Sequence, residues 1–108
     1  ALSARMRRWL KEGWQAVLIL MNKVVVGYTL FQERQRSEIY IRHYFVKRMF
    51  RGKGVGQMAF ALLQAEYFPA GATLALDVLA TNVGARRFWE RLGFQADAGG
   101  LRLEKRGD

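Results

Sequence analysis

The run Arg51-Gly52-Lys53-Gly54-Val55-Gly56 constrains the fold more than any other stretch of this chain, because of what stands on either side of it. Upstream, Ser37 to Val46 is rich in β-branched and aromatic residues. It alternates Ile39, Ile41, His43 and Phe45 with Tyr40, Arg42, Tyr44 and Val46, which is the period of a strand. Downstream, Val55, Met58, Ala59, Leu62 and Leu63 recur at the spacing of a helix whose apolar stripe packs on a core. Glycines at a strand-to-helix turn admit backbone angles that other residues resist. Their N–H groups can then converge with the positive end of the helix on an anion, a cradle suited to a pyrophosphate.

Two familiar phosphate loops fit poorly. A P-loop needs a Lys followed by Ser or Thr to hold magnesium, and here Lys53 is followed by Gly54. The dinucleotide fingerprint needs Gly-x-Gly-x-x-Gly, whereas Gly52 and Gly54 are followed by Gly56. Asp77 lies near the distance of that motif's acid, and a single matching acid is weak support.

The remaining elements can be placed around the loop. Leu2, Met6, Trp9 and Leu10 read as a short helical stripe ending near Gly13. Ala16 to Met21 and Val24 to Phe31 read as strands joined by a turn at Asn22-Lys23. Phe68-Pro69-Ala70-Gly71 breaks the first long helix, and Thr73 to Leu79 is a further apolar strand. Thr81 or Asn82 caps a second helix with the stripe Ala85, Phe88, Trp89 and Leu92, which Gly93 stops. Phe94 to Ala96 and Leu101 to Glu104 read as a closing hairpin around Gly99-Gly100. The expected fold class is α/β (mixed α+β): one domain over residues 1–108, with a mixed, mostly antiparallel sheet and helices on both faces.

Composition narrows the chemistry. With no cysteine there is neither a thiolate nucleophile nor a thiolate metal cluster, and one histidine argues further against a metal site. No apolar run approaches the ~20 residues of a membrane-spanning helix, so a cytoplasmic protein is expected. The 18 basic residues exceed the 9 acidic ones by a net charge of +9. Such a surplus suits a solubilising surface, a phosphate-bearing coenzyme or nucleic acid.

The order Arg/Gln-x-x-Gly-x-Gly/Ala after a strand resembles the GCN5-related N-acetyltransferases, with Val46 five residues before Arg51 as in their motif. A second resemblance follows in the later helix, where Asn82, Ala85, Phe88, Trp89, Gly93 and Phe94 match the family's Asn-x-x-Ala-x-x-Phe-Tyr-x-x-x-Gly-Phe. The likeness runs from about Val17 to Phe94. It is nearest to a branch reading Phe-Phe-Val before the loop and Phe-Trp in the helix, here Tyr44-Phe45-Val46 and Phe88-Trp89. The family usually opens with a further strand and helix, and both are expected to be missing here.

The resemblance implies acetyl-CoA as cofactor and an N-acetyltransferase acting on a primary amine of a small molecule or peptide. Arg51, Gly52, Lys53, Gly54, Val55, Gly56 and Gln57 would hold the pyrophosphate. The backbone of Phe45 and Val46 would pair with the pantetheine arm, provided their strand splays from Thr73 to Leu79. Asn82, Ala85, Phe88 and Trp89 would line the cofactor channel, with Trp89 where many members carry a tyrosine that protonates the leaving thiolate. Tyr28, Tyr40 and Tyr44 are alternative proton donors, each also suited to packing. Tyr40 aligns with the family's glutamate base, leaving Glu38 and His43 as candidate bases, although a core-facing His43 is the better reading of its alternation. A non-catalytic acyl-CoA-binding module and a basic nucleic-acid-binding domain are the competing functions. Pairing into a homodimer would cover exposed sheet surface.

Overall fold

The computed structural model describes residues 2–9, 11–97 and 102–106. Its strands are β1 (Leu2–Trp9), β2 (Trp14–Met21), β3 (Val24–Arg34), β4 (Glu38–Val46), β5 (Thr73–Asp77), β6 (Gln95–Ala96) and β7 (Arg102–Arg106). Helix α1 (Val55–Tyr67) links β4 to β5, and α2 (Val83–Arg91) links β5 to β6. The strands form one sheet in the order β1-β2-β3-β4-β5-β7-β6. Among the described residues only β4 and β5 run parallel, with α1 as the crossover between them, and the other pairs are antiparallel.

The opening segment departs from the expected helix. Leu2–Trp9 is a strand paired with β2 from Leu2–Met21 to Trp9–Gln15. Leu2, Ala4 and Met6 also alternate with Ser3 and Arg5, and this period of two wins because β2 offers a ladder and α1 an apolar cover. A 3-10 turn at Lys11–Gly13 leads directly into β2, with left-handed Glu12 and Gly13 closing it.

That change decides how the sheet is covered. With a strand where a helix was expected, the two helices lie on one face of the sheet, and the expected cover of both faces is not met among the described residues. Beneath the helices lie Val17, Ile19, Thr29, Phe31, Ile39, Ile41, Leu74, Leu76 and Leu103, all buried. The helix stripe differs by one turn position from expectation: Phe60 is 1% exposed and Met58 is 53% exposed, so α1 buries Val55, Ala59, Phe60 and Leu63. The other face carries Trp14, Leu18, Tyr28, Leu30, Tyr40, His43 and Phe45, half-buried or exposed.

Other boundaries follow local chemistry. The Asn22-Lys23 turn has both residues at positive φ, as a tight hairpin between right-twisted strands requires. Pro69 to Gly71 stops α1, and the closing hairpin pairs Gln95 with Glu104, its Gly99-Gly100 turn lying outside the described residues. No helix among the described residues is long and apolar enough to cross a membrane.

Candidate functional site

The sheet opens at its centre. Pairing of β4 with β5 is confined to Glu38–Thr73, Ile39–Leu74 and Tyr40–Ala75, while β4 continues to Val46 alongside β3 alone. A bulge explains the divergence: Leu30 pairs with His43 but Phe31 pairs with Ile41, which leaves Arg42 as the extra residue. Bulges bend a strand and increase its twist, here turning the second half of β4 away from β5. Thr29, fully buried, holds the bend by donating its hydroxyl to the His43 carbonyl at 2.8 Å.

The free edge of β4 presents defined backbone groups to this gap. Lys47 N–H donates to the Val26 carbonyl at 2.7 Å, whereas the Val46 carbonyl accepts from Arg51 Nε at 2.7 Å. Val46 therefore points its backbone away from β3. Alternation along an antiparallel ladder puts Tyr44 on the same side and turns the Phe45 backbone toward β3. Phe45 contributes its side chain, with the Arg51 guanidinium 5.2 Å from its ring centre.

At the mouth of the gap the glycine loop meets α1. Gly52 and Gly54 have φ of 76° and 78°, the left-handed region, and no atom lies within 4 Å of a Cβ built on either. Gly56 is needed for another reason. It sits inside the helix, and a Cβ there would approach the Phe88 ring to 3.1 Å. The helical ladder starts with Met58 N–H donating to the Gly54 carbonyl at 3.0 Å, which leaves the N–H groups of Val55, Gly56 and Gln57 outside it. Gly54 at the N-cap supplies no side-chain acceptor to satisfy them. The N-terminus of α2 faces the same space, capped by Asn82, whose Oδ1 accepts from Ala85 N–H at 3.2 Å.

Together these parts enclose a cleft of about 850 Å³. Tyr44, Phe45, Val46, Arg51, Gly52, Gly54, Gly56, Gln57, Asn82, Gly84, Ala85, Phe88, Trp89, Arg91 and Leu92 line it. Its floor is aromatic: the Tyr44 ring lies 6.0 Å from Phe88, stacked, and 5.3 Å from Trp89. Tyr44 donates its hydroxyl to the Gly56 carbonyl at 2.5 Å, tying β4 to α1. Burial pushes the Tyr44 phenol well above its ordinary pKa.

The sequence profile of the Acetyltransferase (GNAT) family matches residues 2–94. The chain belongs to the GNAT family of acetyltransferases. No curated protein sequence matches it. Among solved structures, it is similar to a GNAT-family protein from Desulfovibrio desulfuricans (TM-score 0.76, 14% identity), covering 98% of this chain and 99% of that one. It is also similar to Naa50 of Arabidopsis thaliana, solved with the bisubstrate analogue CoA-Ac-MVNAL (TM-score 0.66, 19% identity, 83% and 71% coverage). A third is the PaiA N-acetyltransferase of Thermoplasma acidophilum, solved with coenzyme A (TM-score 0.66, 14% identity, 87% and 61% coverage). At these identities the likeness is one of fold.

In this GNAT fold, most of the expected cofactor-binding residues gather on one cleft: Phe45, Val46, Arg51, Gly52, Gly54, Gly56, Gln57, Asn82, Ala85, Phe88 and Trp89. Val55 is buried beneath the loop, and Lys53 is exposed beside it, neither in the lining. The three expected catalytic residues, His43, Glu38 and Tyr40, lie outside that lining. His43 is exposed on the uncovered face, its ring 6.2 Å from Tyr28, and is not core-facing, because the Arg42 bulge reverses the alternation read from sequence. Glu38 sits at the far end of β4, ion-paired with Arg102, which also binds Glu104 at 2.6 Å. Tyr40 donates its hydroxyl to Asp77 Oδ2 at 2.6 Å. Asp77 was weighed from sequence only as a dinucleotide acid. Its place beside the gap depends on strand pairing, which spacing along the chain does not carry.

Proposed function

We propose that the cleft binds acetyl-CoA and that the protein transfers the acetyl group directly to a primary amine of a small molecule or peptide. The observation that carries this reading is the parting of β4 from β5 beyond Tyr40–Ala75, directly beneath an α1 N-terminus with unsatisfied N–H groups. The residues fit the coenzyme's chemistry. Its pyrophosphate needs several donors in a concave, electropositive place, and the N–H groups of Val55 to Gln57 with the left-handed Gly52 and Gly54 provide one. Its pantetheine arm carries amides along its length, and the free edge of β4 offers the Val46 N–H and the Tyr44 backbone, the Val46 carbonyl being taken by Arg51.

Bound there, acetyl-CoA supplies an activated acyl carbon. The rest is done by the chain. Arg51 holds the Val46 carbonyl at the end of β4, on the edge that faces the gap. Phe88, Ala85 and Trp89 exclude water from one wall. Trp89 packs among Phe60, Phe94 and Tyr44 and has an N–H that donates but is no usable acid, so its role is to cover. Tyr44, with its hydroxyl committed to Gly56, braces the floor in the same way.

Calorimetric titration of the purified protein with acetyl-CoA and with desulfo-CoA tests the reading. Saturable binding of both at one site is the expected result, because the cradle recognises the phosphates and the arm. No heat with either ligand would overturn it.

A further inference from the structure

We infer that Asp77 is the catalytic base that takes the proton of the acceptor ammonium, with Tyr40 as its positioning residue. The inference rests on the acetyl-CoA reading of the cleft.

The position follows from the strands. If the α1 N-terminus fixes the phosphates beside Val46, the arm runs back along β4 toward the closed end of the gap, which is the Tyr40–Ala75 pair. Asp77 stands two residues past Ala75, on the same face of β5, just beyond the last β4–β5 pair and outside the cleft lining. On the helix face, the Tyr44, Phe60 and Trp89 rings pack 5.2 to 5.8 Å apart beneath the gap. An acceptor arriving from the uncovered face meets the exposed Asp77 side chain.

Other carboxylates on that face are already committed. Arg102 binds both Glu38 and Glu104. Asp77 accepts from Tyr40 on Oδ2, while Oδ1 enters no hydrogen bond or ion pair among the described residues. Tyr40 is itself fixed, with its ring 6.5 Å from Trp14 and 4.0 Å from the Arg34 guanidinium. The phenol thus fixes one oxygen of Asp77 and leaves the other without a partner among the described residues.

The step balances without a further reactant. The ammonium gives one proton to Asp77. The freed nitrogen lone pair forms the bond to the acyl carbon, and the carbon–sulfur bond breaks with its electron pair passing to sulfur. The second amine proton goes to the departing thiolate, and Asp77 returns its proton to water.

The test compares the wild-type protein with Asp77→Asn and Tyr40→Phe, using benzylamine, glycinamide and water as acceptors. Thiol release can be followed directly because the chain has no cysteine. Asp77→Asn should leave the acetyl-CoA Kd unchanged and lower kcat/KM by about a hundredfold or more, the size of general-base effects.

The pH profile separates chemistry from structure. Asp77 is faced by Tyr40 of β4 and by Arg102 and Glu104 of β7, with Arg34 and Arg42 acting on Tyr40 and Glu38 lying beyond Arg102. Wild-type kcat/KM should fall as acid protonates Asp77, and this limb should be absent from Asp77→Asn. Tyr40→Phe should lower kcat with the acetyl-CoA Kd unchanged, since it removes the O–H that fixes the carboxylate.

A readout without turnover completes the test. Burial, then the hydrogen bond and charge of Asp77, raise the Tyr40 pKa, so ring-labelled NMR should show that phenol titrating at lower pH in Asp77→Asn. Acetyl-CoA binding with an unchanged rate or an unchanged acid limb in Asp77→Asn would overturn the base. So would a wild-type protein that binds acetyl-CoA and acylates none of the three acceptors. Loss of binding in the wild-type protein would instead remove the reading of the cleft, and the base with it.

Discussion

At the scale of single residues, the three glycines of the loop turn out to have different jobs. Gly52 and Gly54 hold left-handed backbone, whereas Gly56 is helical and makes room for the Phe88 ring. Gly54→Val separates ligand from fold, because nothing in the protein lies within 4 Å of the added Cβ and the cleft does. The strained φ should cost about 1–3 kcal/mol, which a domain stable by ~5–15 kcal/mol survives. Far-ultraviolet circular dichroism should therefore be retained, while calorimetry with acetyl-CoA should show no binding. Wild-type affinity in a folded Gly54→Val protein would exclude the loop as the phosphate cradle. The glycine spacing was legible in the sequence because a helix start and a strand end bracket it. The distinct role of Gly56 was not, since Phe88 comes close only after α2 has folded back.

Elements were legible where one periodicity dominated. Helix α2 has its stripe and its Asn82 cap where the sequence puts them. Strand β1 satisfied two periods at once, and the ladder offered by β2 decided between them. The orientation of His43 was hidden by one inserted residue, Arg42, since a bulge exists only as a mismatch between two strands. The same bulge opens the site, so the feature that most shapes the cleft is the one that sequence could not show. Asn82 allows its two roles to be told apart. Asn82→Ala should destabilise the protein by about 1 kcal/mol through loss of the cap, while Asn82→Ser should keep most of that stability. If the amide also contacts the coenzyme arm, acetyl-CoA affinity should drop in both variants, as read by urea denaturation alongside calorimetry. Normal affinity in Asn82→Ser would leave Asn82 as a cap alone.

For the whole molecule, the net charge of +9 admits both a phosphate-bearing coenzyme and nucleic acid, and ionic strength discriminates between them. Two helix N-termini and the glycine loop converge on one concave cleft, so its ligand would be held by oriented N–H groups at short range as well as by the general field. Short-range donors inside a concave site are screened far less than exposed charges. Nucleic acid spread over the basic surface would instead depend on releasing many counterions. Raising salt from about 50 to 200 mM should then weaken acetyl-CoA binding by no more than ~10-fold, against ~10³–10⁵-fold for a duplex neutralised at six to ten phosphates. Parallel titrations with acetyl-CoA and a short DNA duplex would measure both slopes. A steep slope for acetyl-CoA would mean that the surface charge, rather than the parted strands and the loop beneath α1, holds the coenzyme.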